Sequence, residues 1–176
     1  MRILIVSPYF YPKAGGLENY AYNIFKRFND NFDVTVLCSN HSPENSIDSF
    51  KRIRVIRLKP SLVVSNTPIR WDLVLKLSKL LKREDFDLVN AHMPVPSYAD
   101  MAAIATRKNQ TPFILTYHND VVKDGLLGIL ASFYNKTLLQ FTLKSTDKII
   151  TPSPYVYNES LIIRKFADKT VLIPPG

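Results

Sequence analysis

Two histidines, His92 and His118, are the residues in this sequence of 176 amino acids that are best suited by type and position to acid–base chemistry. Each follows an apolar run typical of a buried strand, and we expect each to lie one or two residues past the end of that strand. Histidine can donate or accept a proton near neutral pH. Asn119 and Asp120 add polar groups beside His118, although either histidine taken singly could be an ordinary hydrogen-bonded residue. His41 lies in a polar loop and is expected to be a surface residue.

A glycine pair, Gly15-Gly16, stands between the first apolar run and an amphipathic segment over residues 17–28. Glycines at a strand-to-helix turn let the backbone approach a ligand, and the start of a helix presents free N–H groups to a phosphate. The alternative is a plain tight turn. The spacing matches neither G-x-G-x-x-G nor G-x-x-x-x-G-K-[ST], so the sequence supports neither a nicotinamide dinucleotide site nor a P-loop.

Other chemistries lack the residues that they need. Metal-ligand spacing is absent, so no metal site is predicted. No nucleophile motif of the G-x-S-x-G type occurs, and the single cysteine, Cys38, is expected to be a packed core residue. One cysteine cannot form an internal disulfide, and the sequence does not open with a signal-peptide pattern. Both features are typical of a cytoplasmic protein.

The elements that must position these residues alternate between strands and helices. Crossovers of ten or more residues indicate an α/β fold, a Rossmann-like doubly wound parallel sheet with helices on both faces. Ligands of such sheets bind beyond the carboxyl ends of the strands, where both histidines and the glycine pair would meet. Apolar runs and helical periodicity predict strands at residues 2–7, 32–38, 53–58, 86–90, 113–117, 148–151 and 170–173, and helices at 17–28 and near 70–84, 97–108, 124–145 and 154–166.

Three segments need separate comment. Residues 40–50 and 59–68 are expected to be long loops. Residues 125–143 carry one charged side chain and are expected to form a buried crossover helix rather than a membrane span.

The net charge of +8 is concentrated in one fifth of the chain. Residues 51–83 carry ten Lys or Arg and one acid, whereas the remainder is nearly neutral. This distribution argues against a uniformly basic coat for nucleic acid and favours one patch for an anionic partner; no nucleic-acid partner is predicted. Residues 71–83 form an amphipathic pattern whose polar face carries Lys76, Lys79 and Arg83. Such a helix suits an anionic membrane surface, and the alternative is a sheet-covering helix with a solvated lysine face.

Five short motifs occur in order along the whole chain: Gly15-Gly16, Ala91-His92, the run from Thr116 to Asp120, the run from Ile150 to Ser153, and the run from Val171 to Gly176. Taken together, they resemble the N-terminal half of the retaining glycosyltransferases of family 4, which have the two-domain GT-B architecture. The sequence departs from the family pattern at Asn119, where Asp is usual, and at Pro175, which replaces an Asn of the closing turn.

The resemblance implies that residues 1–176 form an N-terminal Rossmann-like, acceptor-binding domain, with a donor-binding C-terminal domain outside this chain. It implies a nucleotide-sugar donor, a saccharide or lipid acceptor, retention of configuration and no metal cofactor. His118 would be the catalytic residue by hydrogen-bonding the donor sugar, and Gly15 and Gly16 would face the donor diphosphate and the acceptor. These residues alone are expected to be inactive. The neighbourhood of the acceptor or sugar would also contain His92, Asn119, Asp120 and Ser153.

Two other functions remain open from the residues. One is a non-catalytic Rossmann-like module that binds an anionic lipid or another polyanion through residues 51–83. It would be peripheral at the inner face of the membrane, which is compatible with a lipid acceptor. The other is a small nucleotide-dependent enzyme complete in 176 residues, which lacks any strong phosphate-binding motif.

Overall fold

The computed structural model describes residues 1–11, 32–50, 53–93 and 95–174. Gly15-Gly16, the predicted helix over residues 17–28 and the closing Pro175-Gly176 lie outside these ranges. The described helices are α1 (Leu73–Arg83), α2 (Tyr98–Asn109), α3 (Gly125–Lys136), α4 (Leu138–Ser145) and α5 (Pro154–Glu159), followed by a 3₁₀ helix over Ile163–Lys169. The described strands are β1 (Arg2–Val6), β2 (Asp33–Ser39), β3 (Ser46–Phe50), β4 (Ile53–Leu58), β5 (Leu62–Val64), β6 (Thr67–Ile69), β7 (Leu88–Met93), β8 (Phe113–Tyr117), β9 (Lys148–Thr151) and β10 (Thr170–Leu172).

Eight of these strands form one sheet in the order β10-β9-β8-β7-β1-β2-β4-β3. All neighbouring strands run parallel except β3, which is antiparallel to β4. After β1 the chain adds β2, β3 and β4 on one side of the sheet, and after β7 it adds β8, β9 and β10 on the other. The switch point between β1 and β7 is where doubly wound sheets bind their ligands, beyond the carboxyl ends of the strands.

Both faces of the sheet are buried, which explains why the strands appear in the sequence as continuous apolar runs. Along β1, Leu4 and Val6 belong to one core, whereas Ile3 and Ile5 belong to the other. The first core also contains the inward side chains of α1, α2 and α4. Because α1 packs against α2 and α2 packs against α4, these three helices form one layer over that face.

Two segments that were expected to be loops contain strands. In residues 40–50, β3 pairs with β4 so that Phe50 lies opposite Ile53. β3 is mostly exposed and polar, so no apolar run marks it, and its pairing with β4 decides its conformation. In residues 59–68, β5 and β6 form a separate hairpin. Its central residues Ser65 and Asn66 have φ values of 45° and 63°, the positive pair required by a type I′ turn.

Three of the predicted boundaries were wrong. β7 runs to Met93 rather than to residue 90, which places His92 inside the strand instead of beyond it. The predicted helix over 154–166 ends at Glu159 and is followed by the 3₁₀ helix. The predicted helix over 124–145 is divided into α3 and α4 at Thr137, whose φ and ψ are −119° and −88°.

The expectation that residues 125–143 form a buried crossover helix was also wrong for their first half. In α3 only Ala131 and Tyr134 are buried. Apolar composition does not by itself ensure burial, and here α1, α2 and α4 already cover this face of the sheet. Among the described residues, no helix is both long enough and apolar enough to cross a membrane.

Candidate functional site

The two candidate histidines meet at the carboxyl edge of the sheet, one strand from the switch point. His92 is the penultimate residue of β7, and His118 follows the last residue of β8. His92 Nδ1 and His118 Nε2 are 3.2 Å apart, and the two rings stack with their centroids 5.4 Å apart. The His118 backbone N–H donates to the Met93 carbonyl at 3.2 Å, which continues the pairing of the two strands. Neighbouring parallel strands therefore bring together residues 26 positions apart in the sequence.

Burial keeps both imidazoles neutral. His92 is 1% exposed and His118 is partly buried. Desolvation lowers the pKa of His92 well below the ordinary 6.5, with a further contribution from the neighbouring His118. Desolvation also lowers the pKa of His118 to about 4. At pH 7 the contact is therefore a hydrogen bond in which one neutral ring donates and the other accepts, and the pair acts as a positioned hydrogen-bonding group.

A polar pair lies beside the histidines between the same two strands. The Asn90 side-chain amide donates to Thr116 Oγ1 at 3.0 Å and to the Ile114 carbonyl at 3.2 Å. In the register of β7 and β8, Thr116 lies opposite His92. These bonds join the strand that carries His92 to the strand that leads into His118, so they oppose any shift between the two rings. Asn90 was not among the residues predicted from the sequence, although a polar residue within an apolar strand is a recognisable signal.

Asp120 does not direct its carboxylate toward the histidines. Its Oδ1 accepts hydrogen bonds from the Tyr117 hydroxyl and from Ser160 Oγ, both at 2.7 Å. Ser160 Oγ also accepts from the Ile163 backbone N–H at 3.2 Å, at the start of the 3₁₀ helix. Asp120 therefore fastens the loop after β8 to the segment after α5. Asn119, in contrast, is exposed, and its amide donates to the Asp120 carbonyl at 3.0 Å.

Ser153 lies two residues past the end of β9, the strand next to β8, at the same edge of the sheet. Its Oγ accepts from the Val156 backbone N–H at 3.3 Å, so it caps the first turn of α5. The structure thus places His92, His118, Asn119, Asp120 and Ser153 at one edge of the sheet. Of these five described residues, the two whose side chains contact each other are His92 and His118.

The basic segment, residues 51–83, has fewer unpaired positive charges than its composition indicates. Arg54 forms an ion pair with Glu84, Arg57 with Asp48, and Arg70 with Asp72. Two of these carboxylates, Glu84 and Asp48, lie outside residues 51–83, so tertiary contacts neutralise part of the excess charge.

The cationic face of α1 remains open to solvent. The Lys76, Lys79, Lys82 and Arg83 side chains are all exposed, and Lys76 contacts Asp72 only at 3.8 Å. The buried residues Leu73, Leu77 and Leu81 lie on the opposite face, as the amphipathic pattern predicted.

Two minor expectations are settled by the structure. Cys38 is fully buried, and desolvation raises the pKa of its thiol to about 12, which is typical of an inert core cysteine. His41 is exposed, and its ring stacks on Tyr9 with 4.6 Å between centroids. Within the described ranges, no group of three or more His, Cys, Asp or Glu side chains is arranged to hold a metal ion.

Acidification should destabilise the fold through the histidine pair. The folded-state pKa of His118 lies below its unfolded value, so between about pH 6.5 and pH 4 the unfolded chain binds more protons. We therefore expect the free energy of unfolding to fall as the pH drops below about 6.5, by up to about 1.4 kcal/mol per pH unit for each histidine. Urea unfolding at several pH values measures this dependence. The His118→Gln variant should show a shallower slope, and equal slopes for the two proteins would contradict the assignment.

Comparisons with known proteins match nearly the whole chain to glycosyltransferases. The family model for Glycosyltransferase Family 4 matches residues 14–176. O-antigen chain mannosyltransferase C of Escherichia coli is 31% identical over 178 residues, which cover 100% of this chain and 46% of that protein. A phosphatidylinositol N-acetylglucosaminyltransferase subunit from Arabidopsis thaliana is 22% identical over 170 residues, which cover 93% of this chain and 36% of that protein. The chain thus spans about half the length, or less, of these curated relatives.

Solved structures agree on the fold. The crystal structure of Anabaena HepE in complex with UDP-glucose has a TM-score of 0.65 and 20% identity, and the match covers 100% of this chain and 44% of that one. This likeness confirms the predicted Rossmann-like α/β fold, a mostly parallel sheet with helices on both faces. The family match covers nearly the whole chain and agrees with the motifs found in the sequence. The chain therefore belongs to glycosyltransferase family 4.

Proposed function

We propose that residues 1–176 form the N-terminal, acceptor-binding domain of a retaining glycosyltransferase that moves a sugar from a nucleotide-sugar donor to a saccharide or lipid acceptor. The observation that carries the proposal is the neutral pair of His92 and His118 beside the switch point, in a chain that belongs to family 4. Because the chain spans about half the length of its curated relatives, the donor-binding domain is assigned to residues beyond it.

The mechanism assigns His118 to positioning the donor sugar by a hydrogen bond. A neutral ring can make that bond without adding charge beside the diphosphate, and the bond to His92 holds the ring in one orientation. The leaving nucleoside diphosphate is an anion, so its departure is favoured by donors aimed at its developing charge. In the family pattern this role falls to the backbone at Gly15 and Gly16 and to the donor-binding domain.

The acceptor is proposed to lie at the same edge, on the side of β1 and β4. The loop that begins at Pro8 and the hairpin of β5 and β6 follow these two strands. Both named relatives are consistent with this substrate class, since one is named for O-antigen chains and the other for phosphatidylinositol. Asn119, Asp120 and Ser153 are proposed to border the site, Asp120 by holding its loop in place.

The direct test is sugar transfer by the full-length protein. Purified protein is incubated with labelled nucleotide sugars and with lipid-linked or soluble saccharide acceptors, and NMR measures the anomeric configuration of the product. We expect transfer with retention from one donor, and no transfer by residues 1–176 alone. An inverted product would refute the retaining assignment, and absence of transfer with every donor would refute the proposed function.

A second candidate function is binding of an anionic lipid surface through the exposed cationic face of α1. The variant with Lys76, Lys79 and Arg83 all changed to Gln should lose salt-sensitive co-sedimentation with vesicles that contain phosphatidylglycerol. A matched control changes Lys108, Lys148 and Lys165 to Gln, since these side chains are also exposed and the charge removed is the same. Equal binding by the two variants would contradict a role for this face.

A further inference from the structure

Helix α3 presents a continuous apolar stripe to solvent. Leu126, Ile129, Leu130 and Phe133 are 76%, 68%, 59% and 69% exposed. Their spacing of three and four residues places all four side chains along one side of the helix. We call these four residues the α3 stripe. Val122, just before the helix, is 75% exposed and extends the apolar surface.

The opposite side of α3 is firmly attached to the domain, so the exposure of the stripe does not reflect a loose helix. Ala131 and Tyr134 are buried in the core, and the Tyr134 hydroxyl donates to the carboxylate of Asp100 on α2. The Asn135 amide donates to the Val121 carbonyl at 2.9 Å, which ties the end of the helix to the loop that precedes it. Four large apolar side chains exposed on a well-anchored helix indicate a surface that binds a protein or a membrane.

The charges around the stripe favour a membrane as the covering surface. Lys123 and Lys136 flank the helix and are exposed, one exposed acid, Asp124, immediately precedes the helix, and residues 125–146 contain no acidic residue. Protein interfaces are depleted of lysine, whereas an interfacial helix combines an apolar face with flanking lysines that reach the lipid phosphates. The cationic face of α1 belongs to the same helix layer, through the packing of α1 on α2, α2 on α4 and α4 on α3.

We propose that the α3 stripe inserts shallowly into the interface of an anionic phospholipid membrane. This inference rests on the proposed function with a lipid-linked acceptor, and it names the surface from which that acceptor arrives. The helix begins seven residues after His118, and the intervening loop is held by Asp120 and Asn135. Insertion of α3 would therefore hold the carboxyl edge of the sheet next to the lipid headgroups.

The test measures binding of the full-length protein to vesicles of phosphatidylcholine with phosphatidylglycerol. Changing Ile129 and Phe133 to Ser should weaken partitioning roughly a hundredfold, because each lost apolar insertion costs about a factor of ten. The control changes Tyr155 on α5 and Leu161 in the turn after α5 to Ser; these side chains are 75% and 70% exposed, and the control should bind as the wild type does. Unlike binding through α1, the contribution of the stripe should persist at high salt.

An independent readout follows the helix itself in the unmodified protein. Hydrogen–deuterium exchange should slow in peptides that cover Gly125–Lys136 when these vesicles are added, and not in peptides that cover α5. Unchanged exchange in α3, or equal binding by the stripe variant and the wild type, would overturn the proposal.

Two other occupants of the stripe give distinct results. If a second copy covers it, sedimentation without lipid would show an oligomer that the stripe variant loses. If the remainder of the protein covers it, the stripe variant would unfold more readily than the control. Either result overturns membrane insertion. Transfer to a soluble acceptor distinguishes a failure of this proposal from a failure of the proposed function. Stripe variants should retain that activity, and if the full-length protein transfers sugar but does not bind vesicles, membrane insertion is wrong and the proposed function stands.

Discussion

Replacing His118 with Ala in the full-length protein should lower kcat for sugar transfer by about two to three orders of magnitude. The variant removes a hydrogen bond to the reacting sugar inside a desolvated site, where one positioned donor typically contributes that much to the rate. It also removes the partner of His92 Nδ1, 3.2 Å away. Steady-state kinetics with the donor and acceptor identified by the transfer assay provide the measurement. KM for the acceptor should change much less than kcat.

Two further variants show whether the effect arises from the imidazole. His118→Gln retains a hydrogen-bonding side chain and should recover part of the lost rate. Tyr155→Ala removes an exposed ring from α5 and should leave kcat within about twofold, as is usual for surface substitutions. Full activity of His118→Ala would exclude the catalytic assignment, provided that its thermal unfolding shows an intact fold.

The largest loss of stability is expected from Asp100, whose side chain is completely buried at the start of α2. Its carboxylate accepts hydrogen bonds from the Thr142 hydroxyl at 2.6 Å, from the Tyr134 hydroxyl at 3.1 Å and from the Ser97 backbone N–H at 2.9 Å. It therefore joins α2, α3 and α4. Asp100→Ala removes the acceptor of the Tyr134 hydroxyl and of the Ser97 N–H, whereas the Thr142 hydroxyl keeps the Leu138 carbonyl at 3.1 Å. We expect the free energy of unfolding to fall by about 3 kcal/mol.

Chemical denaturation compares this variant with two others. Asp100→Asn preserves the shape and one acceptor oxygen, so its loss should be smaller. Asp85→Ala removes an exposed carboxylate and should change stability by less than about 0.5 kcal/mol. Burial raises the pKa of Asp100, which means that the fold already bears part of the cost of the charge. A loss below about 1 kcal/mol for Asp100→Ala would show that the desolvation cost of the carboxylate cancels most of what the three bonds contribute.

The strands that were predicted well share one physical property. β4, β8 and β9 have the predicted bounds, β1 and β10 differ by one residue at one end, and β2 differs by one residue at each end. Apart from the edge strand β10, these strands are largely buried, and most of their residues are apolar. β3 and the hairpin of β5 and β6 are short and mostly exposed, so their positions are not marked by buried apolar runs. Pairing with a neighbouring strand decides their conformation.

The candidate site divides in the same way. Residue type and order were enough to place His92 and His118 at one edge of a parallel sheet. The contact between the rings and their loss of charge depend on the register of β7 and β8 and on the burial around them. The carboxylate of Asp120, expected beside His118, instead bonds to Tyr117 and Ser160. Ser160 is 40 positions from Asp120 in the sequence, so no local sequence pattern predicts that hydrogen bond.

The sequence by itself determined the fold class, the family and the edge of the sheet where the candidate residues gather. These properties follow from which side chains are apolar, and in what order, and that information is local. Only the tertiary structure decided that the histidine pair is neutral, that Arg54 is matched by the carboxylate of Glu84, and that the apolar helix α3 faces outward. Each of these depends on desolvation or on distances between residues far apart in the chain, which composition and spacing do not encode.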